Sequence, residues 1–475
     1  MARKVVIIGA GPGGYVAAIR AAQLGADVTI IEQEGIGGTC LNWGCIPTKV
    51  MVRAAEVLGL CRAAKDLGLR FSGTVAPDIT GLMKRKEQVI RNQSEGIQRL
   101  LHHFKIKCLR GKGFIRGPEV VDVTMEDGNQ ADVRWDRLIL APGSNPLNLP
   151  SLTFDHEKVW SSQDALHFED IPRSILIVGG GVIGCEFAFI FAAFGSQVTI
   201  LEALPNVLPI PALDHDMAKV IQREMKKRKI RFLVNHTVKG YEETANGLRV
   251  ETALFPQTEK RKEADGPRIE TEKVLVCIGR RPATNDMGLE NVGVHLDQNG
   301  WIHVNDRMET SVPHVYAAGD VLGPPRVMLA HVASSEGRVA AENAMGGSAH
   351  MNYHVIPGAI FTVPEVGYVG LTEKQAFEEG YSVQSESVLF RNLGKPHVMG
   401  EITGQAKIVW NNSDGKLLGI HMVGPHATEL IAEGALAIQA GLTVKALAQT
   451  IHAHPTLSEI MAEVSCKALG QALHG

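Results

Sequence analysis

The strongest constraint on this sequence is a repeat: the spacing G-x-G-x-x-G occurs at residues 9–14 and again at residues 179–184. Each copy follows a short apolar run and is followed, 23 positions after its first glycine, by an acid, Glu32 or Glu202. Glycines allow a tight turn and let backbone N–H groups approach a pyrophosphate, while the acid accepts hydrogen bonds from a ribose. Two such patterns, each placed as strand, turn, helix, strand and acid, predict two dinucleotide-binding folds. The glycines concerned are Gly9, Gly11 and Gly14 in the first copy and Gly179, Gly181 and Gly184 in the second.

Two of the seven cysteines, Cys40 and Cys45, lie close together shortly after Glu32. Seven cysteines in 475 residues are too few for a secreted disulfide scaffold, and a zinc site would need further ligands nearby. A redox pair fits better, although residues five apart on a regular helix rise about 7.5 Å and diverge too far for a disulfide. A bridge therefore requires an irregular turn. The permissive backbone for that turn is expected from Gly37, Gly38, Asn42 and Gly44.

The cysteine segment Gly-Gly-Thr-Cys-Leu-Asn-Trp-Gly-Cys-Ile-Pro-Thr-Lys, residues 37–49, resembles the active-site signature of the FAD-dependent pyridine nucleotide–disulfide oxidoreductases. Within that family it is most similar to the dihydrolipoamide dehydrogenases. Residues 452–459, His-Ala-His-Pro-Thr-Leu-Ser-Glu, and residues 361–373 are similar to the same branch. The resemblance covers essentially the whole chain. It implies an α/β fold class with two Rossmann-like dinucleotide-binding domains, for FAD and NAD, and a C-terminal α+β dimerisation domain.

The resemblance also implies a division of the chain into four domains. Residues 1–148 would form the FAD-binding domain with the redox disulfide and an inserted polar helix at about 78–103. Residues 149–278 would bind NAD, residues 279–348 would complete the FAD site, and residues 349–475 would form the dimerisation domain. Pro142 departs from the family, which usually has threonine there, and it removes one backbone N–H donor.

NAD is expected rather than NADP because Glu202, at the ribose position, would repel a 2′-phosphate, and residues 203–210 contain no arginine or lysine. The other cofactor contacts are implied by the resemblance alone. For FAD they are Lys49, Gly113, Gly143, Ser144, Asp320, Met328, Leu329, Ala330 and His331. For the nicotinamide they are Glu186, Val238 and Gly279.

The catalytic residues that the resemblance implies are Cys40, Cys45, Lys49, Glu186, His454 and Glu459. His454, made more basic by Glu459, would take a proton from dihydrolipoamide, whose thiolate attacks Cys40. Cys45 would pass the electrons to FAD and so to NAD. Lys49 lies four residues after Cys45, on the same helix face, and would lie near the flavin, paired with Glu186, a carboxylate in an otherwise apolar helix that needs a partner.

Glu459 has a structural alternative, because Thr456 and Glu459 have the spacing of a helix capping box. One carboxylate is not expected to serve both an imidazole and a backbone N–H fully, and the resemblance favours the His–Glu pair. His452, two residues before His454, is expected to have no catalytic role.

Composition limits the remaining possibilities. A net charge of −3 gives no argument for nucleic acid, and no run of eighteen apolar residues could span a membrane. Thiol chemistry and the strand that starts at once after the N-terminus suggest the cytoplasm. The resemblance implies a homodimer, in which His454 serves the other subunit, with lipoyl carrier domains or proteins as partners and no metal. The alternatives are another NAD(P)H-dependent disulfide reductase of the family and a non-catalytic flavoprotein subunit.

Overall fold

The computed structural model describes residues 2–70, 72–255, 266–324 and 326–474. The chain divides into two compact units. The first unit comprises the residues up to Val50, Thr80–Leu147 and Gly279–Asn352. The second unit comprises Met51–Ile79, Asn148–Ile278 and the residues from Tyr353 onward.

The first unit is an α/β fold around one sheet. Its strands are β1 (Lys4–Ile8), β2 (Asp27–Glu32), β3 (Lys107–Gly117), β4 (Val120–Met125), β5 (Gln130–Arg134), β6 (Arg137–Leu140), β7 (Ser144–Pro146), β16 (Arg280–Pro282) and β17 (Val315–Ala317). The helices that begin or lie in it are α1 (Pro12–Gln23), α2 (Gly38–Asn42), α3 (Cys45–Arg62), α4 (Ile79–His103) and α7 (Ala330–Ala344). Seven strands form the sheet in the order β17-β6-β1-β2-β3-β4-β5, and β7 pairs with β16.

The centre of this sheet is parallel. Strand β1 lies between β2 and β6, with Val5 opposite Val28 on one side and Arg137 on the other. The apolar run at residues 5–8 is buried throughout, as expected of a parallel strand covered on both faces. The loops that follow the carboxyl ends of β1, β2, β6 and β17 carry most of the residues predicted to bind the first dinucleotide.

The second unit begins with another α/β fold. Its elements are β8 (Val159–Trp160), β9 (Ser174–Val178), α5 (Val182–Phe194), β10 (Gln197–Leu201), α6 (His215–Lys227), β11 (Arg231–Leu233), β12 (His236–Thr244), β13 (Gly247–Leu254), β14 (Ile269–Thr271) and β15 (Lys273–Val276). The parallel sheet has the order β11-β10-β9-β15-β8, and β12, β13 and β14 form a separate antiparallel sheet.

The C-terminal part of the second unit is α+β. Its strands are β18 (Gly358–Ile360), β19 (Glu365–Gly370), β20 (Val383–Leu389), β21 (Gln405–Asn411) and β22 (Leu417–Gly424). Its helices are α8 (Glu373–Glu378), α9 (Gly394–Met399), α10 (Ala427–Gln439), α11 (Val444–Ala448) and α12 (Glu459–Ala468). The five strands form an antiparallel sheet in the order β18-β19-β22-β21-β20, covered by an apolar core that includes Phe390, Ile420 and Ile460.

The predicted fold class is confirmed, with two dinucleotide-type parallel sheets and a C-terminal antiparallel sheet. Across the described residues, none of the helices combines the length and the apolar character needed to cross a bilayer.

Candidate active site

The first glycine-rich loop joins β1 to α1. Gly9 has φ +100°, and a Cβ there would lie 2.1 Å from the carbonyl oxygen of Ala141 at the end of β6. A Cβ on Gly14 would lie 1.9 Å from the carbonyl oxygen of Gly9. Gly9 is therefore required for the turn and Gly14 for the close packing of helix on strand, as the sequence pattern predicts.

The space in front of α1 lies between the first glycine loop and Gly38. Gly11 precedes the first residue of the helix, and the nearest atom to a Cβ built on it is the Cα of Gly38, at 3.8 Å. The first N–H groups of α1 point into this space without helical partners. A dinucleotide phosphate would meet these donors and the positive end of the helix.

Glu32 holds the first loop in place. Its Oε2 accepts a hydrogen bond from the N–H of Ala10 at 2.6 Å, and its Oε1 accepts from the N–H groups of Glu34 at 2.8 Å and Gly35 at 3.2 Å. The sequence pattern assigned this acid to a ribose. In the structure it also ties the glycine loop to the turn after β2, so the same carboxylate shapes the site and offers its remaining lone pairs to a ligand.

The second loop, between β9 and α5, repeats these contacts. A Cβ on Gly179, which has φ +108°, would lie 2.3 Å from the carbonyl oxygen of Cys277, and one on Gly184 would lie 2.0 Å from that of Gly179. A Cβ on Gly181 would have no described protein atom within 4 Å, so the space before α5 is open to a ligand. The buried Glu202 accepts from the N–H of Gly180 at 2.5 Å and of Leu204 at 2.7 Å.

The predicted irregular turn lies between the two cysteines. Helix α2 contains Cys40 and ends at Asn42, and helix α3 begins anew at Cys45. Gly44 allows this return of the chain, because its Cβ would lie 3.0 Å from the carbonyl oxygen of Thr39. Asn42 contributes through its side chain rather than its backbone, since its Nδ2 donates to the carbonyl oxygen of Gly38 at 3.0 Å.

The two sulfurs are thiols in this structure, and they differ in their surroundings. The side-chain hydrogen bond with Cys45 and then burial raise the pKa of the Cys40 thiol, and Lys49 opposes this only in part. Cys45 is the first residue of α3, an 18-residue helix, and the positive end of a helix stabilises a thiolate. The negative charge of the reduced pair is therefore favoured on Cys45, while Cys40 keeps its proton.

Ser144 and Asp320, both predicted flavin contacts, meet in the first unit around a residue that the sequence analysis did not select. Ser144 Oγ donates to Asp320 Oδ2 at 2.7 Å. Arg280 donates from Nε to Ser144 Oγ at 2.6 Å and from Nη2 to the Ser144 carbonyl oxygen at 2.5 Å. The Ser144 hydroxyl is thus used within the protein. The sequence signal that could have identified Arg280 is its position next to Gly279, at the end of an apolar strand segment.

The other predicted cofactor residues have the following positions. Residues 328–331 lie at the start of α7, whose N-cap is Leu329. Gly113 is in β3, where a Cβ would touch Ile8, Ile31 and Val121 at 3.4–3.5 Å. Gly143 and Gly279 have φ +78° and +131°. Val238 is buried in β12. Their contacts with a cofactor stay predictions.

Glu186 is buried in α5, where its Oε1 accepts a hydrogen bond from the N–H of Phe361 at 3.0 Å. Lys49 belongs to the first unit and Glu186 to the second. The pairing of Lys49 with Glu186 stays a prediction.

His454 and Glu459 form the predicted pair in the second unit. His454 Nδ1 lies 2.8 Å from Glu459 Oε1. Glu459 Oε2 accepts from the N–H of Thr456 at 2.9 Å. The expectation that one carboxylate could not serve both groups was wrong, because each oxygen serves one of them. Burial alone would raise the pKa of Glu459, but the hydrogen bonds from His454 and Thr456 outweigh it and hold that pKa below its usual range.

His452 differs sharply from His454. The His454 side chain is 76% exposed, with Nδ1 bound and Nε2 facing outward, whereas the His452 side chain is 6% exposed. His452 has an acceptor at each ring nitrogen, Thr450 O at 3.0 Å from Nδ1 and Glu433 Oε1 at 2.8 Å from Nε2. Of these two histidines, His454 is the one with a ring nitrogen available to exchange a proton with a ligand. Among the described residues, no three His, Cys, Asp or Glu side chains converge as metal ligands would.

Comparisons with known proteins agree with this geometry. Residues 3–337 match the model of the pyridine nucleotide-disulphide oxidoreductases, and residues 356–465 match the dimerisation domain of the same family. The dihydrolipoyl dehydrogenase of Thermus scotoductus is 40% identical over 472 residues, covering 99% of this chain and 98% of that protein. The dihydrolipoyl dehydrogenase of Haloferax volcanii is 38% identical over 473 residues, covering 99% and 97%.

Solved structures are similar over the same length. LpdA from Mycobacterium tuberculosis has a TM-score of 0.89 at 28% identity, covering 98% of this chain and 99% of that one. The HOCl-induced flavoprotein disulfide reductase RclA from Escherichia coli has a TM-score of 0.84 at 26% identity, covering 97% and 99%. The chain belongs to the pyridine nucleotide-disulphide oxidoreductase family.

Proposed function

We propose that the protein is a dihydrolipoyl dehydrogenase, which oxidises the dihydrolipoyl group of a carrier to its cyclic disulfide and reduces NAD. The observation that carries the proposal is the occurrence, in one chain, of two dinucleotide folds, the Cys40–Cys45 pair and the His454–Glu459 pair, at about 40% identity over full length to a protein of that name. The glycine loops and their acids support two dinucleotide sites, and we assign FAD to the first fold and NAD to the second.

The reaction is a thiol–disulfide exchange. With Cys40 and Cys45 joined as a disulfide, one substrate thiolate attacks Cys40 and displaces Cys45 as a thiolate. The second substrate thiolate then displaces Cys40 and closes the substrate disulfide. Cys40 leaves as a thiolate and takes up a proton, in keeping with its raised pKa. FAD, when bound, supplies the two-electron transfer that restores the enzyme disulfide and reduces NAD.

His454 moves the proton of this exchange. Its Nδ1 is held by Glu459, so Nε2 is the nitrogen that accepts a proton from the substrate thiol. The carboxylate then stabilises the imidazolium ring and fixes its orientation. In the proposed homodimer, His454 of one subunit serves the cysteine pair of the other, and the match to a dimerisation domain supports that arrangement.

The carrier and the compartment are further parts of the proposal. Lipoyl domains or lipoylated proteins present the dithiol on a flexible arm, and we take such carriers as the partners. A reducing compartment suits a cysteine pair that must cycle between thiol and disulfide, and we place the enzyme in the cytoplasm.

The decisive assay is NADH formation from dihydrolipoamide and NAD. The wild-type protein is expected to turn over, and the variant Cys45→Ser is expected to lose this activity. Cys108→Ser, at an exposed cysteine of β3, is the matched control and should keep the wild-type rate. A wild-type protein that reduces dyes with NADH but never forms NADH from dihydrolipoamide would be another disulfide reductase of the family.

The role of His454 is tested by His454→Gln, which should lower dihydrolipoamide oxidation by roughly 10²–10⁴-fold while NADH-to-dye activity survives. Glu463→Gln is the matched control, because Glu463 lies one turn after Glu459 on α12 and is also paired with a histidine, His474, at 2.8 Å. Equal loss of both reactions in His454→Gln would leave His454 a structural residue. His452 is no neutral control, since removing it leaves Glu433 without its partner, at a cost of about 1–3 kcal/mol.

A further inference from the structure

We propose that Arg280 is a positioning residue for the flavin site, acting through Asp320. The inference rests on the proposed binding of FAD in the first unit and concerns residues of that unit only. Arg280 lies in β16, which pairs antiparallel with β7 so that Arg280 stands opposite Pro146 and Pro282 opposite Ser144. This register brings the guanidinium alongside the loop that follows β6.

Arg280 and Ser144 together occupy one oxygen of Asp320. Ser144 Oγ donates to Oδ2 of Asp320 at 2.7 Å, and the Nε of Arg280 lies 3.5 Å from the same oxygen. The Ser144 hydroxyl also accepts from Arg280 Nε, at 2.6 Å, so its single proton is directed to Asp320. Within the described part of the chain, Oδ1 of Asp320 accepts no hydrogen bond, so the carboxylate is fixed on one side and offers the other oxygen to a ligand hydroxyl.

Because these side chains are buried, each polar group among them needs a hydrogen-bond partner. The Arg280 side chain is 13% exposed and the Ser144 residue 4% exposed, so an unmatched group here would carry a desolvation cost. Burial lowers the pKa of the Arg280 guanidinium, and the charges of Asp320 and Cys45 counteract it. The guanidinium therefore also contributes positive potential at the redox pair. The adjacent Arg281 is exposed and supplies an internal comparison.

The test is a double-mutant cycle on the FAD affinity of the apoprotein, with variants Arg280→Met, Asp320→Asn and both together. Arg280→Met should weaken FAD binding by about 10–100-fold, from the loss of charge-assisted hydrogen bonds, and Arg280→Lys should recover part of it. In the Asp320→Asn background, Arg280→Met should cost much less, because its effect passes through that carboxylate. Arg281→Met should bind FAD as the wild type does.

Additive effects in the cycle, or unchanged FAD affinity in Arg280→Met, would overturn the proposal. Folding of Arg280→Met is checked by circular dichroism and gel filtration. If this variant does not fold, the double-mutant cycle is repeated with Ser144→Ala and Asp320→Asn, because Ser144 connects Arg280 to Asp320. The result does not depend on lipoamide turnover. A wild-type protein that binds FAD but fails to oxidise dihydrolipoamide would refute the proposed function and leave this inference standing.

Discussion

The two dinucleotide folds use the same backbone chemistry at their loops. In each, the first glycine has a positive φ, and a Cβ on it would meet the carbonyl oxygen at the end of the neighbouring strand, at 2.1 Å for Gly9 and 2.3 Å for Gly179. In each, the acid after the second strand accepts the N–H of the loop's second residue and that of the residue two positions after itself. The loop geometry is thus dictated by the ligand type, and it recurs at both sites.

The helices behind the loops differ completely. Helix α1 crosses α7 so closely that a Cβ on Gly337 would lie 2.1 Å from the carbonyl oxygen of Gly13. Helix α5 instead carries large side chains, and Phe187 and Phe191 stack with ring centroids 6.0 Å apart, next to Trp160 at 6.4 Å from Phe191. The faces of the two helices are therefore set by their neighbours and not by the dinucleotide.

The segments after the acids separate the folds further. In the first fold, a Cβ on Gly38 would lie 2.6 Å from the Cα of Gly11, so the redox segment closes over the glycine loop. In the second fold, no described atom lies within 4 Å of a Cβ on Gly181. A loop covered by its own chain suits a cofactor that stays bound, and an open one suits a cofactor that leaves after every turnover.

The largest effects on cofactor binding are expected when alanine replaces the last glycine of either glycine loop, Gly14 or Gly184. Gly14→Ala and Gly184→Ala each force a Cβ to within 2.0 Å of a carbonyl oxygen, at a cost of about 3 kcal/mol, or roughly 100-fold in affinity. Gly14→Ala should lose FAD, measured as flavin content after purification. Gly184→Ala should keep its flavin and lose NADH binding. Gly96→Ala, in α4 with only Arg99 near its Cβ, is the control and should bind both. Loss of flavin in Gly184→Ala would show that the folds do not act separately.

A smaller effect is expected at the two acids. Glu202→Arg removes a buried acceptor of two N–H groups and the negative charge that opposes a 2′-phosphate. The ratio of kcat/KM for NAD to that for NADP should fall by about 10–100-fold, equivalent to about 1.4–2.7 kcal/mol. Glu32→Gln, a neutral substitution of the equivalent acid in the first fold, should weaken flavin retention and leave this ratio unchanged. A changed ratio in Glu32→Gln would mean that the nicotinamide site had been assigned to the wrong fold.

The sequence predicted the features that local spacing encodes. The bond between each glycine loop and its acid spans 22 positions, and the irregular turn lies between Cys40 and Cys45, so the pattern itself contains this geometry. Arg280 was missed because Ser144 lies 136 positions away and nothing in the local sequence marks the contact. The pair between Lys407 and Asp214 was not predicted for the same reason, because the two residues are 193 positions apart. The sequence analysis expected His454 and the Thr456 N–H to compete for Glu459 because it counted the carboxylate as one acceptor. In the structure, the two carboxylate oxygens bind different partners.

The smallest effect is expected from a charged cluster that holds helix α6 of the second fold. Asp214 caps α6 through the N–H of Asp216 and accepts from Lys407 Nζ at 2.9 Å, and Lys407 also lies 2.7 Å from Glu373. His421 Nδ1 lies 3.4 Å from the backbone nitrogen of Asp214, and its Nε2 lies 3.0 Å from the carbonyl oxygen of Leu371, so the ring is accommodated as neutral.

These contacts predict a pH window of stability. Burial raises the pKa of Asp214, but Lys407 and the capping N–H outweigh it and leave that pKa lowered, and burial lowers the pKa of His421. Both groups therefore stabilise the fold fully when the pH is above their pKa in the unfolded chain, near 6.5 for histidine and 3.9 for aspartate. This stabilisation is lost as the pH falls below that pKa. Burial lowers the pKa of Lys407, but Glu373 and Asp214 raise it overall, so its contribution is lost only at high pH.

Asp214→Asn should therefore lower the melting temperature at pH 8 by about 2–4 °C, as expected for a loss near 1 kcal/mol in a domain of this size. The difference from wild type should shrink as the pH falls below 4, where Asp214 becomes protonated first in the unfolded chain and then in the folded one. His421→Gln should flatten the decline in melting temperature between pH 7 and pH 5. His215→Gln, at an exposed histidine that begins α6 itself, should follow the wild-type curve throughout. Equal melting temperatures for Asp214→Asn and wild type at pH 8 would assign its role to helix capping alone, because an uncharged asparagine keeps the cap but not the ion pair.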